Sequence, residues 1–168
     1  MASTYEPIAT QTLGTATSSI TFSSINQGYT DLVLVTNAIL ASGGAANLWC
    51  RFNGDGAANY STTYLAGSGT GSGTSARDTS ATESWVGRLS SSNWTSSIAS
   101  FQNYANATTY KTSISRGNDT SGLVIAFVSL WRPSNLATGN ITSIVLTNSS
   151  AVNFSVGSTF TLYGIAAA

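Results

Sequence analysis

The chain has no histidine, one cysteine and one lysine, and its six acidic side chains match six basic ones. Histidine is the side chain that most often moves protons in catalysis, and a single thiol cannot form a disulfide within the chain. These absences exclude most acid–base and nucleophilic mechanisms. The composition therefore favours a scaffold or a binding surface over an enzyme, with no metal site and no cofactor.

Charged residues make up only 7% of the 168 residues, against about 25% in an average soluble protein. Nucleic acids and anionic membranes attract clustered Lys and Arg, which this chain does not supply. No apolar run approaches the ~20 residues of a membrane-spanning helix, and the first residues show no secretory signal. We therefore expect neither nucleic acid nor membrane as a partner. The low charge also favours association into an assembly.

Serine and threonine are abundant, with 28 and 24 residues, and they alternate with apolar residues. Alternation with a period of two is typical of β-strands that have one wet face. Turn residues such as Asn53-Gly54 separate the segments. The pattern predicts an all-β fold, a two-sheet antiparallel β-sandwich, with one domain over residues 1–168. The predicted strands are residues 4–13, 18–24, 31–39, 48–52, 60–65, 84–89, 98–104, 110–115, 122–131, 141–147 and 159–165.

Two of these segments are apolar almost throughout. They are Leu32-Val-Leu-Val and the run from Leu123 to Trp131, and we expect both to be central strands covered on both faces. The stretch 66–80 is rich in glycine and serine, so it is predicted to be a long flexible loop.

Few residues suggest site chemistry. Cys50 alternates with Leu48 and Phe52, so we expect it to be buried in the core. The Asn53-Gly54-Asp55-Gly56 segment offers two side-chain oxygens, too few for calcium, and a tight turn is the better interpretation.

Asp78 and Glu83 leave one enzymatic route open, because paired carboxylates hydrolyse glycosides without histidine. Arg77 and Arg88 lie nearby in the sequence. A solvated cluster of ion pairs is therefore the simpler interpretation.

Aromatic residues in polar surroundings are the remaining candidates for recognition. Trp94 has no apolar neighbours in the sequence that would bury it, and two tyrosines flank the polar segment 105–109. The N-terminal strand carries apolar residues that need a partner, which suggests assembly contacts. The candidate interface and binding residues are Tyr5, Ile8, Leu13, Trp94, Tyr104 and Tyr110.

Several segments, in their order along the chain, resemble a family of small virion structural proteins of tailed phages, prominent in marine and cyanobacterial viruses. The most distinctive is the closing Leu162-Tyr-Gly-Ile. The others are Tyr5-Glu-Pro-Ile-Ala-Thr-Gln-Thr-Leu, Ser19-Ile-Thr-Phe-Ser-Ser-Ile, Tyr29-Thr-Asp-Leu-Val-Leu-Val, Arg51-Phe-Asn-Gly-Asp, Phe101-Gln-Asn-Tyr and Ile141-Thr-Ser-Ile-Val-Leu-Thr.

The resemblance implies a jelly-roll-like sandwich on a virus particle, with no catalytic residues to transfer. We favour a capsid decoration or cement protein on the exterior of the shell, a homotrimer that binds the major capsid protein. The alternative is a receptor-binding module on a tail fibre, which recognises a host surface glycan with Trp94, Tyr104 and amide-rich loops. A third interpretation is a glycan-processing enzyme that uses Asp78 and Glu83.

Overall fold

The alternating pattern forms twelve β-strands and one short 3-10 helix in the computed structural model, which describes residues 4–118 and 122–166. None of the helical structure in these residues is long and apolar enough to cross a membrane. The elements are β1 (Tyr5–Thr12), β2 (Ile20–Phe22), β3 (Asp31–Ala38), β4 (Ala46–Phe52), β5 (Tyr60–Gly67), β6 (Thr74–Ala81), β7 (Ser84–Leu89), β8 (Thr95–Phe101), β9 (Lys111–Asn118), β10 (Val124–Trp131), η1 (Leu136–Thr138), β11 (Ile144–Asn148) and β12 (Thr159–Ile165).

The strands form two sheets that pack face to face. The large sheet has eight strands in the order β1-β12-β3-β8-β9-β10-β5-β6, and the small sheet has four in the order β2-β11-β4-β7. Neighbouring strands are antiparallel in both sheets. The predicted two-sheet antiparallel β-sandwich is thus confirmed.

Strand β6 corrects the sequence prediction of a long loop at residues 66–80. Strand β5 continues to Gly67 and β6 begins at Thr74, so the connection is limited to residues 68–73. Strand β6 is an edge strand with little buried surface, and its pairing with β5 rests on backbone hydrogen bonds. Hydrophobic alternation does not reveal a strand that buries almost no apolar side chain.

Aromatic rings join the two sheets at the centre of the core. Phe52 of the small sheet contacts three aromatic residues of the large sheet, with ring centroids 5.3 Å from Trp131, 5.4 Å from Phe101 and 6.0 Å from Tyr60. All four side chains are buried. Tilted and edge-to-face ring pairs each add roughly 0.5–1.5 kcal/mol beyond the area that they bury. This cluster fixes how the sheets lie on one another.

Small residues allow β7 to lie close to the large sheet. A Cβ atom added to Gly87 of β7 would lie 2.7 Å from Ser97 Oγ of β8. The residues of β9 that point into the sandwich include the buried Ser113 and Ser115. Because side chains alternate between the two faces of a strand, Ile114 lies between these serines on the opposite face of β9 and is exposed.

Side-chain hydroxyls cap the outer edge of β7. The backbone N–H of Trp85 donates to Thr62 Oγ1 at 3.4 Å, and Ser129 Oγ donates to the carbonyl oxygen of Trp85 at 3.3 Å. The two hydroxyls are hydrogen-bonded to each other at 2.7 Å. The backbone N–H and carbonyl groups of Trp85, at the edge of the small sheet, are thus hydrogen-bonded to the large sheet. They are not available for pairing with another strand.

The two apolar segments are central strands, as expected. Strand β3 lies between β12 and β8, and β10 lies between β9 and β5. Residues Leu32, Val33 and Leu34 of β3 are buried, so β3 is covered on both faces there, whereas Val124 and Val128 of β10 are 66% and 54% exposed. The expectation of full cover is wrong for β10 because the small sheet packs on one face of the large sheet only.

The closing Leu162-Tyr-Gly-Ile segment supplies a glycine that the fold requires. The ring of Tyr29 lies directly against Gly164 of β12, so that a Cβ atom there would overlap the Cγ and Cδ2 atoms of the ring. The Tyr29 hydroxyl donates to Glu6 Oε2 at 3.1 Å. This hydrogen bond raises the pKa of Tyr29 and joins the ring to β1.

We expect Gly164→Ala to destabilise the fold by about 1–3 kcal/mol, because the new methyl group overlaps the Tyr29 ring. Urea unfolding followed by circular dichroism measures the change. Gly67→Ala is the control, since a Cβ atom at that position would have no neighbouring atom within 4 Å, and it should change stability by less than about 0.5 kcal/mol. In a Tyr29→Ala background the cost of Gly164→Ala should largely disappear, and an unchanged cost would contradict this explanation.

Candidate functional site

The exposed aromatic residues predicted from the sequence do not form one site. Trp94 directly precedes β8 and is 46% exposed, and Tyr110 directly precedes β9 and is 53% exposed. Because β8 and β9 are antiparallel neighbours, the two residues lie at opposite ends of the large sheet.

Tyr104 is buried, so the prediction that it belongs to a surface patch is wrong. Its hydroxyl donates to the carbonyl oxygen of Asn26 and accepts a hydrogen bond from the backbone N–H of Tyr29 at 3.4 Å. Burial raises the pKa of this hydroxyl. The polar residues that follow Tyr104 in the sequence suggested exposure, but the ring turns back under the segment that precedes β3.

The N-terminal candidates lie on or beside edge strand β1. Tyr5 is exposed at its start, with its ring edge-on to Tyr163 at 6.5 Å. Ile8 and Leu13 are half-buried and pack against the core. These two residues therefore have an apolar partner within the chain.

Exposed aliphatic side chains concentrate on the face of the large sheet that points away from the small sheet, which we call the outer face. The strand register places Val35, Ile98, Arg116, Ala126 and Leu65 in one row across five neighbouring strands. Val35 is 39% and Leu65 is 64% exposed. The row is thus apolar at both ends, with a charged residue in its middle.

Neighbouring rows extend the same apolar surface. Ile114 is the cross-strand partner of Val128, and both are more than half exposed. Val124 lies on the same face of β10 as Val128 and is also exposed. Contiguous exposed apolar surface of this kind commonly marks an interaction site in a soluble protein.

Arg116 is the centre of the outer face. Three shallow concavities of about 370, 570 and 430 Å³ lie on this face, and Arg116 lines each of them. No ion pair involves Arg116 within the described part of the chain. The neighbouring β6 contributes Arg77 to the outer face, whereas Asp78 pairs with the buried Thr62 and so projects from the other face.

Sequence patterning does not directly indicate the outer face. Apolar residues at alternate positions are normally assigned to the core, which is where Ile114 and Val128 would be placed. The one available signal is Ile114-Ser115-Arg116, where an apolar and a charged residue alternate around a serine. Such a strand has no clearly apolar face to bury.

The two acidic residues of the hydrolase interpretation, Asp78 and Glu83, lie in different surroundings. Glu83 is buried, forms an ion pair with Arg51, and accepts a hydrogen bond from Thr82 Oγ1 at 2.7 Å. Both carboxylate oxygens are therefore engaged within the chain. Asp78 lies half-exposed in edge strand β6.

The expected ion-pair cluster with Arg77 and Arg88 is also wrong. Arg88 donates to Asn47 Oδ1 at 2.7 Å, while the partner of Glu83 is Arg51. Antiparallel pairing of β4 with β7 brings these residues together, which sequence proximity does not indicate. Among residues 4–118 and 122–166, no group of three or more His, Cys, Asp or Glu side chains could hold a metal ion.

Cys50 is buried in the small sheet, as predicted. Burial strongly raises the pKa of its thiol. The thiolate is the nucleophilic form of cysteine, so this side chain serves as a small core residue.

The Asn53-Gly54-Asp55-Gly56 segment is a structural corner, as the turn interpretation expected. Asn53 Oδ1 accepts hydrogen bonds from the backbone N–H groups of Thr142 at 2.8 Å and Ser143 at 3.1 Å. Asn53 has a positive φ of 54°, and Gly54 follows at 70°. The corner thus ties the end of β4 to the segment before β11.

Asp55 anchors the same corner to the core. Its Oδ2 atom accepts from Trp131 Nε1 at 2.7 Å and Asn59 Nδ2 at 2.9 Å, and Oδ1 accepts from the Ala57 backbone N–H at 2.9 Å. Burial alone would raise the pKa of Asp55, but these hydrogen bonds to the charged form together lower it. Both carboxylate oxygens thus accept hydrogen bonds from donors within the protein.

No protein-family model matches the chain, and no curated protein sequence is similar enough to count as a match. Any proposal about function therefore rests on the surfaces of the sandwich and on the resemblance of the sequence segments.

We expect Asp55→Asn to lower stability at neutral pH by about 1–2 kcal/mol, because a charged acceptor of several hydrogen bonds is lost. A carboxyl group whose pKa is lower in the folded state stabilises the fold above its unfolded pKa, and this contribution disappears as the pH falls through the folded pKa. The difference between wild type and variant should therefore shrink below about pH 4. Urea unfolding at pH 7 and pH 3 measures it, with Asp78→Asn as the control. A difference that is equal at both pH values would contradict the role of the charge.

Proposed function

We propose that this chain is a virion structural protein of a tailed phage, a capsid decoration protein that attaches to the major capsid protein through its outer face. One observation carries the proposal. The central strands of the large sheet expose aliphatic side chains around Arg116 on the outer face. The resemblance of the sequence segments to phage virion proteins is the reason for proposing that the protein is part of a virus particle.

The outer face has the dimensions of a protein interface. Eight strands that lie about 4.8 Å apart give a width of roughly 35 Å. About eight residues per strand, with a rise of about 3.3 Å per residue, give a length of roughly 25 Å. A stable protein interface buries on the order of 800 Å² on each partner. A flat protein surface such as a capsid lattice provides an area of that size.

The side chains of the outer face favour a protein over a glycan as its partner. Val35, Leu65, Ile114, Val124 and Val128 bind by burial of area and offer neither ring faces nor hydrogen bonds. Each fully buried aliphatic side chain contributes roughly 1.5–3 kcal/mol. Several of them together provide the affinity that a lattice-bound subunit needs.

The charge of Arg116 predicts which chemical group the partner surface carries opposite it. When the outer face is covered, its guanidinium is removed from water and needs an acceptor, because an unpaired buried charge is costly. A copy docked face to face through a two-fold axis would present Arg116 and Arg77 again. The proposed partner is therefore a different surface, apolar with a carboxylate opposite Arg116. The homotrimer then forms through other surfaces, such as edge strands β1 and β6.

The tail-fibre alternative has less support in its original form. It relied on Trp94 and Tyr104 as a joint glycan site, but Tyr104 is buried. The hydrolase alternative is weakened as well, since Glu83 is already bound by Arg51 and Thr82. A structural, non-catalytic role remains the proposal.

The copy number of the chain in purified particles tests the proposal. Quantitative mass spectrometry against the major capsid protein should give on the order of hundreds of copies, since only a repeated shell offers so many equivalent sites. A few to a few dozen copies would place the chain on the tail instead. Absence from particles would overturn the virion role.

Substitutions on the outer face test which surface attaches. Ile114→Asn and Arg116→Gln should each weaken binding to particles stripped of the chain by about 10–100-fold, as central interface residues do. Co-sedimentation measures the bound fraction, and thermal unfolding confirms that each variant is folded. Val156→Asn is the control, because Val156 is 57% exposed but lies outside the outer face. Equal binding by all three variants would show that another surface attaches.

A further inference from the structure

The exposed face of the small sheet carries a second group of unusual side chains. On β4, Asn47, Trp49 and Arg51 alternate with buried residues and point away from the large sheet. Their cross-strand neighbours on β7 are Arg88, opposite Asn47, and Trp85, opposite Trp49. Two half-buried tryptophans thus lie side by side, with a polar pair at one end.

A cleft of about 240 Å³ lies on the Trp85 side of this pair. It opens where the large sheet extends beyond β7, and Asn47, Arg88 and Phe127 line it. Tyr64 of β5 also lines it and stacks on Trp85, with ring centroids 5.8 Å apart and an interplanar angle of 27°. We call it the aromatic cleft.

A second cavity, of about 380 Å³, lies on the Trp49 side and is called the Trp49 cavity. Arg51 and Glu83 form its charged wall, and Thr147 adds a hydroxyl group. The ion pair between Arg51 and Glu83 makes this wall neutral overall. It therefore offers hydrogen-bonding groups in fixed positions without selecting for a charged ligand.

Two donors on side chains that line the Trp49 cavity have no partner within the described protein. Trp49 Nε1 and Arg51 Nε are hidden from solvent and have no hydrogen-bond acceptor among the described residues. A buried donor without a partner costs roughly 1–3 kcal/mol. A small shift of the surrounding side chains that admits a ligand oxygen therefore removes this cost.

We propose that this strip, the aromatic cleft together with the Trp49 cavity, binds an oligosaccharide of at least two rings. Pyranose rings present an apolar C–H face and a rim of hydroxyl groups. The exposed parts of the Trp49, Trp85 and Tyr64 rings match the former, while Arg51, Thr147 and Asn47 match the latter. The two adjacent cavities provide room for neighbouring sugar rings.

The strip lies on the opposite side of the sandwich from the outer face. A chain attached through the outer face would therefore present the strip to the surroundings. The inference does not depend on the proposed capsid attachment, because the isolated chain in solution is sufficient to test it.

Nuclear magnetic resonance of the 15N-labelled full chain tests the proposal through the indole N–H signals of its four tryptophans. The probes are lactose, cellobiose, chitobiose and maltose, each titrated to about 20 mM. This concentration is high enough to detect a dissociation constant in the millimolar range. At least one of them should shift the Trp49 and Trp85 signals together and saturably, while the Trp94 and Trp131 signals stay in place. Monosaccharides should bind about 10-fold more weakly, since they fill one cavity only.

Trp49→Phe keeps a ring in the strip but removes the N–H donor, and it should weaken binding of the disaccharide about 10-fold. Trp94→Phe is the matched control and should leave binding unchanged. If Trp49→Phe fails to fold, the wild-type shifts and Thr147→Val, which removes a hydroxyl group from the cavity wall and should also weaken binding, decide the question. The proposal is overturned if none of the four disaccharides shifts the Trp49 and Trp85 signals, or if the shifts occur at Trp94 instead.

Discussion

Close packing of β7 on the large sheet governs how the side chains of this sandwich are distributed between its faces. Gly87 meets Ser97 with no room for a Cβ atom, and the serines of β9 fill the space below. Small residues allow two sheets to approach, and hydroxyl groups can then close the sheet edge, as Thr62 and Ser129 do at Trp85. Since side chains alternate between the faces of a strand, serine on the inner face of β9 forces Ile114 and Arg116 to the outer face.

The two proposed binding surfaces follow from this arrangement and from the unequal size of the sheets. The small sheet covers only one face of the large sheet, so the outer face keeps its aliphatic side chains in solvent. On the inner side, the large sheet extends past β7 and leaves Tyr64 beside Trp85. An aliphatic, flat surface suits a protein partner, whereas aromatic rings among fixed polar pairs suit a sugar. The two proposed partners therefore bind different surfaces and would not compete.

Sequence patterns predicted those features that depend on local chemistry. The all-β class, the turn at Asn53, the burial of Cys50 and the existence of the strands other than β6 follow from alternation and turn residues, and they agree with the structure. Strand bounds agree less well, since the strand predicted at 98–104 is β8 at Thr95–Phe101. The failures have two causes. Strand β6 pairs with the adjacent β5 but buries almost no apolar side chain, so it carries no hydrophobic alternation. Tyr104 is buried by a distant segment and Glu83 meets Arg51 across the sheet. These two contacts depend on residues far away in the chain, which periodicity does not register.

Composition and alternation alone are enough to specify the fold class and the poverty of catalytic groups, because they act residue by residue and need no knowledge of neighbours. Which apolar residues remain exposed, and which polar residues meet, depends instead on how the strands assemble. Val124 and Val128 have the same side chain as buried core valines, and their exposure depends on whether a second sheet lies above them. Likewise, Trp49 and Trp85 become neighbours through the register of β4 and β7, and register is fixed by the packing of the whole sandwich.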